Sequence, residues 1–126
     1  MKQSITSKNA PAAIGPYSQA IKAGNFVFLS GQLGINPQTN EFVEGAVSEQ
    51  AEQVFKNIKS ILSEAGLDFE QVVKTTVFLA DMADFAAMNA VYSKYFKEPY
   101  PARSAVAVKT LPKNALVEIE VIAEVK

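Results

Sequence analysis

The strongest constraint on how this chain folds is a mismatch between its strands and its helices. Several β-type runs are apolar on both sides, yet only two segments carry helical periodicity. Side chains alternate across a sheet, so Phe26 and Phe28 face one way while Val27 and Leu29 face the other. The run from Val72 to Leu79 repeats the pattern, with Val72 and Phe78 opposing Val73, Val77 and Leu79. Two helices packed on one face leave the second face bare, and a bare apolar sheet face is an association surface. A homo-oligomer that covers it with another copy of the chain is the expected solution. A face half-wetted in a monomer is the alternative.

Periodicity places the elements. A short strand near Ser4 to Thr6 precedes two runs, Tyr17 to Ala23 and Phe26 to Gly31, joined through Gly24-Asn25 as a tight hairpin. A turn-rich loop follows around Asn36, Pro37 and Asn40. Ala51, Val54, Phe55, Ile58, Ile61, Leu62 and Ala65 then line one face of a helix that Ser48 caps and Gly66 ends. After the strand Val72 to Leu79, a second helix follows Asp81, carrying Phe85, Met88, Tyr92, Tyr95 and Phe96 until Pro99 and Pro101 stop it. Arg103 to Val108 and Leu116 to Val125 are the last strands, on either side of the turn Leu111-Pro112-Lys113-Asn114. The order ββαβαββ predicts an α+β fold, a single sheet with two helices on one face, in one domain spanning residues 1–126. In the last strand Val117, Ile119, Val121, Ala123 and Val125 form the apolar side, and Leu116, Glu118, Glu120, Ile122 and Glu124 the opposite one.

Composition narrows the chemistry. The 126 residues include neither Cys nor His, which removes a thiolate nucleophile, an imidazole base, a disulfide and the usual Cys/His zinc site. Catalysis must come from carboxylates, Lys, Arg, Tyr, Ser/Thr, backbone groups and water. Twelve basic residues balance thirteen acidic ones without a block of like charge, so nucleic acid and anionic membranes are not expected partners. The N-terminal residues lack the apolar run of a signal peptide and nothing approaches a membrane span, which predicts a cytoplasmic protein. Arg103 is the only Arg beside eleven Lys. A guanidinium holds a carboxylate through two parallel hydrogen bonds, which an ammonium does not, so Arg103 is the first candidate for binding an acid. Pairing with Glu118 or Glu120 is its structural alternative.

The stretches Asn9-Ala10-Pro11-Ala12-Ala13-Ile14-Gly15-Pro16-Tyr17-Ser18-Gln19, Ser30-Gly31-Gln32, Val73-Lys74-Thr75-Thr76-Val77-Phe78, Pro101-Ala102-Arg103-Ser104 and Val117-Glu118-Ile119-Glu120 resemble the reactive intermediate deaminase A (RidA) family, along the whole chain. The resemblance implies a chorismate-mutase-like fold, a homotrimer with sites between subunits, and cofactor-free, metal-free hydrolysis of 2-imino acids to 2-oxo acids and ammonia. It also implies residue roles. Arg103 would grip the substrate carboxylate, and Glu118 would orient or activate the attacking water, with Glu120 its nearest rival. Tyr17, Ser30, Gly31 and Asn89 would line the pocket, Gly31 letting a ligand approach the backbone. Ala105 stands where many relatives carry Cys, so only its backbone N–H is left to contribute, and thiol-based regulation is not expected. Each has a plainer alternative: Tyr17 as packing, Ser30-Gly31 as a strand end, Asn89 as solvated helix surface. Two other functions stay open, a binding or regulatory module for small 2-oxo acids and an endoribonuclease or translation inhibitor as ascribed to some relatives.

Overall fold

A computed structural model describes residues 1–126. One mixed six-stranded sheet carries the fold, in the order β1-β2-β3-β8-β6-β7. Its strands are β1 (Gln3–Ile5), β2 (Ala20–Ala23), β3 (Phe26–Leu33), β6 (Val72–Leu79), β7 (Ala102–Ala107) and β8 (Val117–Glu124). All neighbours pair antiparallel except β6 and β7, which are parallel and therefore need a crossover. The second helix, α2 (Phe85–Tyr92), makes it. The first, α1 (Val47–Glu64), packs beside α2 on the same face, burying Val54, Phe55, Ile58, Ile61 and Leu62 against Val27, Leu29, Val77, Leu79 and the Val117/Ile119/Val121/Ala123 side of β8. The α+β sheet with two helices on one face is as the periodicity predicts.

Phe55, fully buried, is the hub of that core. Its ring stacks on Tyr95 at 4.6 Å between centroids and meets Phe69, Tyr92 and Phe96 edge-on at 5.8–6.0 Å. A hydrogen-bonded staple closes the α1/α2 seam above it: Glu52 accepts from Lys94 Nζ at 2.6 Å and from the Tyr95 hydroxyl at 2.5 Å. These bonds hold the Glu52 carboxyl below its usual range, while burial and then Glu52 push the Tyr95 phenol up to about 12.

The opposite face has no cover within the chain. Phe26 and Phe28 remain 41% and 44% exposed and Val106 46% exposed. Along β8 the expected alternation holds, with Glu118 and Ile122 half-buried and Glu120 and Glu124 exposed on this open side.

Several boundaries differ from the sequence reading, each for a local reason. The strand expected from Tyr17 starts only at Ala20, because Gln19 turns its buried side chain back to clamp the preceding loop. Its amide accepts from the Ser7 N–H at 2.6 Å and donates to the Pro11 carbonyl at 2.7 Å. The loop around Asn36 and Asn40 closes into a small hairpin of β4 (Ile35–Asn36) and β5 (Glu41–Phe42), with Asn40 in the left-handed region at φ 61°. Ser48 lies inside α1 rather than capping it: Ala46 is the cap residue, and Glu49 reaches back to its N–H at 2.8 Å. Tyr95 and Phe96 fall beyond α2, which ends at Tyr92 as Lys94 and Tyr95 tighten into i to i+3 bonds. The edge strand β7 runs from Ala102 to Ala107, one residue earlier than expected.

Candidate active site

The expected site residues divide between two separate clefts on opposite faces of the sheet. Pairing register decides the faces. Arg103 lies opposite Thr75, which lies opposite Val121, on the helix side. Glu118 lies opposite Phe78, which lies opposite Val106, on the open side. Arg103 and Glu118 therefore point away from each other within one chain, and the pairing of Arg103 with Glu118 or Glu120 does not form.

The Glu118 cleft, about 560 Å³, is bounded by the loop from Pro11 to Tyr17, by β3 and by Pro112 and Lys113. Its floor is a bulge in β3 between Leu29 and Gln32, where the register with β8 shifts. The strand thus continues through Ser30 and Gly31 instead of ending there. The bulge also uses Ser30 to hold the cleft wall: its N–H donates to the Gln19 carbonyl at 2.9 Å and its hydroxyl to the Ser18 carbonyl at 2.6 Å. Gly31 also leaves room for a neighbouring side chain. A Cβ there would lie 2.5 Å from Glu118 Oε2, so the room above this glycine is taken by the carboxylate itself. Half-buried against the strand, Glu118 has its carboxyl pushed above the ordinary range, first by burial and then by the neighbouring charge of Glu120. Tyr17, 54% exposed, stands at the rim with its phenol in solvent reach.

The Arg103 cleft, about 430 Å³, is lined by Asn89, Tyr92, Ser93, Tyr100, Pro101 and Arg103. Arg103 Nη1 donates to Asn89 Oδ1 at 2.6 Å, and the guanidinium carbon sits 4.7 Å from the centroid of the Tyr92 ring. The protein's single ion pair is Lys94–Glu52, so Arg103 has no acid of its own. Asn89, expected to touch ligand, spends its acceptor on Arg103. Ala105 points its methyl toward the core from edge strand β7. The N–H of Val108 donates to the Leu79 carbonyl at 2.9 Å, and alternation along the strand turns the N–H of Ala105 outward, to the unpaired edge beside Arg103.

Gln19 and Lys113 in the first cleft, and Tyr92 in the second, are site residues that motif reading did not single out. Tyr92 had a signal: it follows Asn89 by three positions on one helix, which places both on the same face. Lys113 had none, because its backbone at φ 55° is a left-handed conformation no lysine advertises.

No cluster of potential metal-ligating residues forms, and no helix is long and apolar enough to cross a membrane. Fold and site together define a class: a small α+β protein offering a guanidinium without a counter-charge on one face and a half-buried carboxyl of raised proton affinity on the other. Residues 7–125 match the family model described as Endoribonuclease L-PSP, and the chain belongs to that family. It is 56% identical to Reactive Intermediate Deaminase A, chloroplastic, of Arabidopsis thaliana, over 97% of this chain and 65% of that one. It is 47% identical to the human 2-iminobutanoate/2-iminopropanoate deaminase, over 98% of this chain and 90% of that one. Among solved structures, E. coli TdcF with bound serine superposes with a TM-score of 0.92 at 43% identity, over 98% of this chain and 99% of that one. The resemblance read from the motifs is thereby confirmed at the level of the family.

Proposed function

We infer that this protein is a cofactor-independent deaminase that hydrolyses small 2-imino acids to 2-oxo acids and ammonia, acting as a homotrimer. Each site would join the Arg103 cleft of one copy to the Glu118 cleft of another. The observation that carries this reading is the split itself: an acid-free guanidinium and a half-buried carboxyl of raised proton affinity, chemically complementary, on opposite faces of one sheet. The bare apolar face around Phe26, Phe28 and Val106 supplies a reason for copies to meet. The names of the Arabidopsis and human relatives support the reaction, and the serine on TdcF supports a ligand bearing an α-carboxylate.

The chemistry asks little. Imines hydrolyse in water unaided, so the protein contributes orientation and proton handling. Arg103 holds the substrate carboxylate through paired N–H donors, and the outward N–H of Ala105 adds another. Glu118 takes a proton from the water whose oxygen bonds to C2. As the C2=N π pair moves onto nitrogen, that proton passes to it and a carbinolamine results. Glu118 then carries the hydroxyl proton to the same nitrogen, the C2–N bond breaks with its electron pair leaving on nitrogen as the oxygen pair closes C2=O, and ammonia departs from the 2-oxo acid. A carboxyl with raised proton affinity suits both transfers. The endoribonuclease of the family description is less well supported, since the chain has neither a histidine nor a basic stripe.

The test couples a threonine dehydratase, which releases the imine, to this protein and follows 2-oxobutanoate. Faster appearance with the protein is expected. An unchanged rate, together with measurable 2-oxobutanoate binding, would leave a binding module in place of an enzyme.

A further inference from the structure

Three residues of α2, Phe85, Asn89 and Tyr92, fall on the helix face turned toward β7, and all three meet one side chain. The Arg103 guanidinium lies 4.7 Å from the Tyr92 centroid and 5.4 Å from that of Phe85, while its Nη1 donates to Asn89 Oδ1 at 2.6 Å. Tyr92 is itself immobilised. Its hydroxyl shares a buried 2.8 Å hydrogen bond with the Thr75 hydroxyl, and its ring is packed against Phe55 and Phe96. Arg103 is nonetheless solvent-exposed on an edge strand. Such an arginine would ordinarily sample many rotamers and surrender them on binding a ligand, at a cost to affinity.

The geometry points to Asn89 and Tyr92 as positioning residues for Arg103: Tyr92 seats the guanidinium over its ring, and Asn89 fixes its rotation there through one N–H. The N–H groups not committed to Asn89 are then left for an incoming α-carboxylate. This inference rests on the deaminase reading, in which Arg103 grips that carboxylate. The amide at position 89 matters as much as the bond. An acceptor without charge tethers the arginine but leaves its full charge for the substrate, whereas a carboxylate at the same 2.6 Å would neutralise it.

The test is Asn89→Asp, read by the calorimetric Kd for 2-oxobutanoate, by KM in the coupled imine assay and by melting temperature. We expect binding to weaken by about ten-fold or more, since an internal carboxylate now competes for a charge-assisted bond. The melting temperature should hold or rise with the new ion pair. A residue of purely structural importance would move affinity and melting temperature in the same direction. Tyr92→Leu should also weaken binding, and Tyr92→Phe, which keeps the ring, should recover most of the loss. Should the leucine variant fail to fold, Asn89→Leu, at a half-buried surface position, takes its place and should weaken binding with little change in melting. Asn89 variants that bind and turn over like the parent would overturn the inference alone. A parent that neither accelerates imine hydrolysis nor binds 2-oxobutanoate would overturn it together with the deaminase reading.

Discussion

Glu118 is held in a conformation that costs stability and suits its proposed role. Its carboxyl is pushed up by burial and by Glu120, so the folded protein favours the protonated form more than the unfolded chain does. The stability this group contributes is fully present below the ordinary glutamate range and is lost as pH rises through its raised value. At neutral pH its ionisation therefore works against folding. Glu118→Gln should raise the melting temperature at pH 7, lose that advantage on acidification, and lower turnover by about two decades or more, as loss of a general base does. Glu120→Gln, altering an exposed neighbour, should cost far less turnover. Arg103→Lys keeps the charge but loses the paired donors and the guanidinium's contact over the Tyr92 ring. About ten- to a hundred-fold in affinity or rate should go, with little change in melting because no ion pair is broken. The candidacy of Arg103 was legible in its uniqueness, and that of Glu118 in its motif and its place among apolar neighbours. What lies beneath them was not. A side chain resting on Gly31, or on Tyr92, is a contact between segments far apart in sequence, and spacing along the chain carries no trace of it.

Two glycines in and after β3 separate site from scaffold. A Cβ at Gly31 would meet the Glu118 carboxylate at 2.5 Å, and that carboxylate is the end of a flexible side chain that can swing away. At Gly34 it would meet Gln50 Cα at 2.8 Å, in the backbone of α1, which cannot. Gly31→Ala should thus lose most turnover while melting nearly normally, and Gly34→Ala should lose stability, by about 1–3 kcal/mol on the scale of overpacked cores. Paired melting curves and coupled assays read both, and a severe melting defect in Gly31→Ala would show that the bulge serves the fold before the site. Element type was legible wherever periodicity ran long, as in α1 and β8. Errors gathered where a side chain overrides the local pattern. Gln19 pulls its segment off the sheet, Glu49 moves the helix cap to Ala46, and the aromatic contacts and Glu52 bond of Tyr95 hold it although α2 has already ended.

At the scale of the whole molecule, one sheet carries two unlike clefts and one bare apolar face. The mismatch between strands and helices foretold the bare face, and Phe26, Phe28 and Val106 are where it lies. The opposite facing of Arg103 and Glu118 was not foreseeable, because it follows from the register of β6 with both β7 and β8. If copies associate through these faces, light scattering should give a mass near three chains at micromolar concentration, and a mass near one chain would contradict the assembly. The more direct measurement mixes two inactive variants. Arg103→Ala and Glu118→Gln, unfolded together in equal amounts and refolded, should recover activity that neither shows alone. Random assembly pairs an intact Arg103 cleft with an intact Glu118 cleft at about one site in four, so about a quarter of parental turnover is expected from a ring in which each site spans two copies. No recovery in a mixture shown to contain hybrid assemblies would contradict the account, since the two residues would then not meet across an interface.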